Sequence, residues 1–73
     1  MPDNLREIVF IVEESPEGGY VAKALGESIF TEADSMEALK ANVRDAVKCH
    51  YSDPTDLPGL IRLHLVHDEI LTV

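Results

Sequence analysis

Residues 8–12 of this chain read Ile-Val-Phe-Ile-Val, an uninterrupted apolar run of β-branched and aromatic side chains. A run of this length is too short for a helix, and its composition predicts a strand. Successive side chains of a strand point to opposite faces, so this run places apolar groups on both sides of its sheet. The fold must therefore account for two apolar faces.

Downstream of this strand the sequence predicts a turn and two further strands. Residues 13–19 contain one proline and two glycines, a composition typical of a tight turn. Residues 20–25 resume a strand and complete a hairpin. Gly26 ends that strand, and residues 28–33 predict a third, short strand.

A helix follows the third strand. Asp34 and Glu37 fit a capping box, and Ser35 is the alternative cap. Residues 36–51 contain neither proline nor glycine. One stripe at helical spacing consists of Met36, Leu39, Val43, Ala46, Val47 and His50.

The remaining sequence predicts a loop and a fourth strand. Residues 52–59 carry two prolines and a glycine, whereas residues 60–66 alternate apolar and polar side chains. A turn or bulge is expected at residues 67–69. The order is then β-β-β-α-β in a single domain over residues 1–73. A right-handed crossover places the fourth strand beside the first and parallel to it, so we expect an α+β fold with strand order 3-2-1-4.

One helix covers only one face of such a sheet. The residues expected to face it are Ile8, Phe10, Val12, Tyr20, Ala22, Ile29, Ile61, Leu63 and Leu65. The residues expected on the opposite face are apolar Val9, Ile11, Val21, Phe30 and Val66, with Lys23, Glu32, Arg62 and His64 beside them. An apolar patch with a charged rim is typical of an interaction surface, so those five apolar residues are the candidate protein interface. The alternative is that they favour strands and are exposed singly.

Charge restricts the class of partner. The chain has 14 acidic and 6 basic residues, a formal net charge of -8. Such a surface repels phosphate backbones and anionic lipid, which disfavours direct binding of nucleic acid or membranes and favours a basic protein partner. Simple solubility is the alternative explanation of the charge.

Size predicts self-association. A 73-residue chain builds a marginal core, and the single cysteine excludes an internal disulfide. The second apolar face and the open sheet edges therefore predict a homodimer or larger assembly. Residues 1–4 lack a basic stretch followed by an apolar one, so we expect a cytoplasmic location without a leader sequence.

No residue pattern indicates catalysis, a metal or a cofactor. The middle of the first strand carries no carboxylate, as a nuclease metal site would require. His64 and His67 should point to opposite faces, so they are expected to be surface histidines. Cys49 and His50 diverge around the helix, and Cys49 is expected beside the helix seam. We therefore expect no enzymatic activity.

Two segments carry a family resemblance. Residues 17–22 read Glu-Gly-Gly-Tyr-Val-Ala, and residues 34–47 hold a capped helix start with Asn42, Arg44 and Ala46 at alternate positions. In this order and spacing they resemble the HicB-like antitoxin domain across residues 6–66. The resemblance implies a partial ribonuclease-H-like fold, self-association and sequestration of small, basic, RNA-cleaving HicA toxins.

The chain also departs from that family. Residues 25–28 read Leu-Gly-Glu-Ser where the family often has Asp-Leu-Pro-Gly-Cys, and no operator-binding segment is expected. The predicted function is a non-catalytic protein-binding module. The alternative is a self-associating small-ligand-binding or regulatory domain, with Lys23, Arg62 and His64 converging on a closed cavity.

Overall fold

A computed structural model describes residues 6–73; residues 1–4, on which the expectation of a missing leader rests, lie outside this range. The elements are β1 (Glu7–Glu14), β2 (Tyr20–Ala24), β3 (Phe30–Ala33), α1 (Met36–His50), a 3-10 turn (Pro54–Asp56) and β4 (Leu60–Val66). The predicted β-β-β-α-β order is confirmed. In residues 6–73, no helix has the length and apolar character needed to cross a bilayer.

The four strands form one mixed sheet in the order β3-β2-β1-β4. β2 pairs antiparallel with both β1 and β3, whereas β4 lies parallel to β1. The α+β class and the strand order predicted from a right-handed crossover are therefore confirmed. β3 begins at Phe30 rather than at residue 28, and Ile29 just before it is buried in the core.

The turn between β1 and β2 depends on two glycines with positive φ. Gly18 has φ 99° and Gly19 has φ 82°. The amide of Gly18 donates to the carbonyl of Ser15 at 3.0 Å, and the amide of Ser15 donates to the carbonyl of Gly19 at 2.9 Å. A Cβ atom at Gly19 would lie 2.5 Å from the carbonyl oxygen of Ala33. This close approach of β3 leaves room for glycine alone.

Ser35, rather than Asp34, caps the helix. The Oγ atom of Ser35 accepts a hydrogen bond from the amide of Ala38 at 3.1 Å. Further along α1, the side-chain amide of Asn42 donates to the backbone carbonyl of Glu32 at 3.1 Å. The helix is thus attached to the edge strand β3 both by a short connection and by a direct hydrogen bond.

The core lies between α1 and one face of the sheet. Its buried members are Ile8, Phe10, Val12, Ala22, Ala24, Ile29, Leu39, Val43 and Val47. Two residues depart from the predicted inward-facing set. Leu65 lies on the helix side but is 57% exposed, because α1 lies over β3 and β2 and leaves the end of β4 uncovered. His50 is also exposed and bonds Glu27 instead of packing inward.

Candidate protein interface

The side of the sheet turned away from α1, which we call the open face, is formed by alternate residues of all four strands. The strand register assigns to it Glu7, Val9, Ile11, Glu13, Val21, Lys23, Phe30, Glu32, Leu60, Arg62, His64 and Val66. All five residues of the predicted interface are in this set. Sequence reasoning missed Leu60, although its spacing from Arg62 and His64 would have identified it.

Apolar and polar side chains alternate across the strands of the open face. One cross-strand row is Phe30, Lys23, Ile11 and His64. The next row is Glu32, Val21, Glu13 and Val66. Apolar groups therefore meet along diagonals, which span about 7–8 Å in a sheet. The resulting apolar band crosses every strand through Phe30, Val21, Ile11 and Val66, with Val9 beside Ile11 along β1.

The predicted charged rim is in fact interleaved with the apolar band. Phe30 is 62% exposed at the edge strand, and the other residues of the band are half-buried. Long polar side chains such as Lys23 cover apolar neighbours with their methylene stems while their charged ends stay in water. A partner that displaces these ends would therefore gain the apolar surface beneath them.

Carboxylates dominate the charged groups of the open face. The Nε atom of Arg62 lies 3.0 Å from Oε1 of Glu7. This ion pair neutralises one of the two cationic side chains of the open face, and the other is Lys23. In the second row, Glu13 and Glu32 lie on either side of Val21. Two carboxylates therefore flank an apolar group at the end of the face nearest the β1–β2 turn, an arrangement suited to a cationic side chain with an apolar stem.

The three cationic or titratable groups considered for a ligand cavity do not converge. Lys23 and His64 pair with Ile11 from opposite sides, so their strands lie about 10 Å apart. Arg62 bonds Glu7 on the face itself. This arrangement favours a broad contact surface over an enclosed small-molecule site.

A second polar cluster joins the β2–β3 loop to the end of α1. Nε2 of His50 lies 2.9 Å from Oε1 of Glu27, and the ring of Tyr51 packs edge-on to His50 with centroids 5.0 Å apart. Partial burial raises the pKa of Tyr51 above its ordinary value, and the nearby Glu27 carboxylate adds to this shift. Glu27 lies where the chain departs from the HicB-like pattern, and its role in this contact is structural.

The histidines and the cysteine of the described residues are distributed over α1, β4 and the segment after β4. Within 6–73, no group of three or more His, Cys, Asp or Glu side chains is placed to hold a metal ion. Cys49 is exposed rather than packed at the helix seam. His64 lies on the open face, whereas His67 follows β4 and approaches Glu14 at 3.3 Å.

These features define a class of protein: a small α+β domain whose one helix covers one side of a four-stranded sheet. The chain is 41% identical over 68 residues to a UPF0150 protein of Thermotoga maritima, covering 93% of this chain and 94% of that relative. It is 54% identical over 46 residues to a UPF0150 protein of Archaeoglobus fulgidus, covering 63% and 68% respectively. The chain belongs to the UPF0150 family. No family model and no solved structure matches it.

Proposed function

We propose that this chain is a non-catalytic protein-binding module that acts in the manner of HicB-type antitoxins and associates with itself. The observation that carries the proposal is the apolar band on the open face. α1 covers the other side of the sheet, so the band is left for contact with a second protein. Exposed aromatic groups are frequent sources of binding energy, and Phe30, on the edge strand β3, is the largest apolar group of the open face.

The partner we infer is a small, basic, RNA-cleaving protein of the HicA type. The net charge of -8 attracts a basic protein during diffusional encounter. Glu13 and Glu32, on either side of Val21, offer carboxylates to its lysine or arginine side chains. A nuclease that binds RNA needs those same cations for its substrate, so covering them inhibits cleavage.

The test begins by asking whether a gene beside that of this chain encodes a short basic protein of the toxin type, and then uses that protein. We expect the wild-type chain to bind that protein in calorimetry and to inhibit its RNA cleavage. Phe30→Glu should weaken binding by at least about 30-fold, the effect of losing one aromatic contact that contributes strongly to binding. Leu65→Glu is the matched control, because Leu65 is 57% exposed and Phe30 62%, and the two lie on opposite faces.

Two results would contradict this proposal. One is the absence of such a neighbouring protein, or RNA cleavage that continues at full rate with the wild-type chain in excess. The other is a Phe30→Glu variant that binds as tightly as the wild type, since the open face would then play no part.

A further inference from the structure

A groove runs between α1 and β4 on the helix side of the sheet, and we call it the α1–β4 groove. Val43, Ile61 and Leu63 form its apolar floor, Lys40 and Arg44 form its rim, and its volume is about 240 Å³. It exists because α1 lies over β3 and β2 rather than over β4. The exposed side chain of Leu65 continues the apolar floor along β4.

The rim of the groove concentrates positive charge in an acidic protein. Lys40 and Arg44 of the rim are followed by Lys48, one turn beyond the groove on the same side of α1, with Glu37 in the first turn as the acidic residue on that side. These are three of the six basic residues, and apart from Glu37 the rest of the chain carries three basic residues against thirteen acidic ones. Within residues 6–73 none of the three forms an ion pair. The groove is therefore suited to an acidic and apolar occupant.

The segment after β4 has that chemistry. Residues 67–73 form neither helix nor strand, and Ile70 and Leu71 are 93% and 85% exposed. Asp68 and Glu69 precede them. In an extended conformation Glu69, Leu71 and Val73 share one side, so a carboxylate and two apolar groups project together.

The outer edge of β4 can also pair with the backbone of this segment. β4 pairs with β1 alone and is an edge strand of the described sheet, so its outer edge can accept a further strand. Residues 68–73 would span about 20 Å as a strand, close to the length of the seven-residue β4.

We propose that the α1–β4 groove binds residues 68–73 of a second copy of this chain, and that two copies exchange these segments symmetrically. Leu71 and Val73 then cover the apolar floor, while Glu69 lies beside the cationic rim. The same copy does not fill its own groove. His67 approaches Glu14 of β1 at 3.3 Å, Glu69 lies 3.6 Å from His67 rather than beside the cationic rim, and residues 67–73 form no strand. This inference rests on the self-association within the proposed function and is independent of what covers the open face.

The experiment is sedimentation of the full chain and of two charge-reversed variants, Arg44→Glu and Glu69→Arg. We expect the wild type to be a dimer at about 100 µM, a concentration well above the dissociation constant of a homodimer of micromolar affinity. Each variant alone should dimerise at least about tenfold more weakly, because like charges then face each other in both grooves.

An equimolar mixture of the two variants should recover the dimer. In the mixed pair, the carboxylate introduced by Arg44→Glu in one chain would meet the guanidinium introduced by Glu69→Arg in the other. The second groove would keep the native pairing of Arg44 with Glu69. Binding of the segment within its own chain gives no recovery on mixing, so that result would overturn the exchange. A wild type that is monomeric at about 100 µM would overturn it as well.

Glu17→Arg is the matched control, since it reverses one exposed charge in the β1–β2 turn, away from both the groove and the open face, and should leave the dimer unchanged. Leu71→Ser should weaken the dimer through loss of apolar contact without adding charge. If Phe30→Glu abolishes toxin-type binding while the mixing result holds, both proposals stand. If mixing fails while Phe30→Glu still abolishes binding, the segment exchange alone is wrong.

Discussion

Substituting the two turn glycines separately tests whether the close approach of β3 shapes the hairpin. Gly18 and Gly19 have similar positive φ angles of 99° and 82°. A Cβ at Gly18 meets nothing within 4 Å, whereas one at Gly19 lies 2.5 Å from the carbonyl oxygen of Ala33. Gly18→Ala therefore isolates the backbone strain, and Gly19→Ala adds a steric overlap to it.

The expected magnitudes follow from this difference. A non-glycine residue at positive φ costs about 1–2 kcal/mol, which we assign to Gly18→Ala. At Gly19 the overlap is with backbone that is fixed by the pairing of Tyr20 with Ala33, so relief requires β3 to move. We expect at least about 2 kcal/mol more, or about 4 kcal/mol in total. The lower entropy of the unfolded alanine chain affects both variants alike and cancels in the comparison.

Urea denaturation followed by far-ultraviolet circular dichroism measures the effect. A domain of this size has a total stability of about 4–11 kcal/mol, so Gly19→Ala should lose between about a third and all of it. Gly18→Ala should stay folded, with a melting temperature lower by about 5–15 °C. Equal losses of stability in the two variants would refute the role assigned to the Ala33 carbonyl.

Three further predictions concern the helix and the loop after it. Ser35→Ala should reduce stability by about 1 kcal/mol in urea denaturation, whereas Asp34→Ala should have a smaller effect because Ser35 provides the cap; the reverse ranking would show that the cap is misassigned. Asn42→Ala should lower the free energy of unfolding by about 0.5–1.5 kcal/mol and accelerate hydrogen exchange in β3, because the hydrogen bond to the Glu32 carbonyl is lost. Unchanged exchange in β3 would contradict the role given to this hydrogen bond. The pKa of Asp53 is held below its ordinary value by hydrogen bonds from Thr55, so its stabilising effect should be present above about pH 4 and lost as pH falls through the lower folded value. Urea midpoints measured from pH 5 downward should show this dependence in the wild type and less of it in Asp53→Asn, and identical profiles would refute it.

Two-residue periodicity was sufficient to predict which strand residues lie on which face. Val9 and Ile11 are on the open face because Ile8 and Phe10 are buried against the helix. The same reasoning predicted the strand order, since a single helix between β3 and β4 restricts the crossover. The membership of the candidate interface was thus available from local pattern alone.

The sideways position of the helix was not available from that pattern. Only Asp34 and Ser35 separate β3 from α1, so the helix must begin beside β3. Asn42 then holds it there through Glu32, and Leu65 is left exposed at the far side. The α1–β4 groove follows from this offset, which depends on tertiary contacts rather than on hydrophobic spacing.

The mixing of charged and apolar side chains on the open face could not be predicted from the sequence either. It depends on the relative register of four strands, and a shift of any one strand by two residues would have gathered the apolar groups into a different pattern. His50 illustrates the same limit, because its helical spacing predicted burial while Glu27, distant in sequence, draws it outward.

Having apolar groups on both sides of β1 has a consequence for folding fidelity. A strand that is apolar on both faces does little to specify its own register, because a one-residue slip buries nearly as much apolar surface as the native pairing. Alignment must come from its neighbours: from the apolar–polar alternation of residues 61–65 in β4 and from the glycine turn that leads into β2. A chain that forms this turn incorrectly would collapse to a compact state with the wrong strand pairing. Gly18 and Gly19 therefore favour fast and correct folding as well as the stability of the folded state.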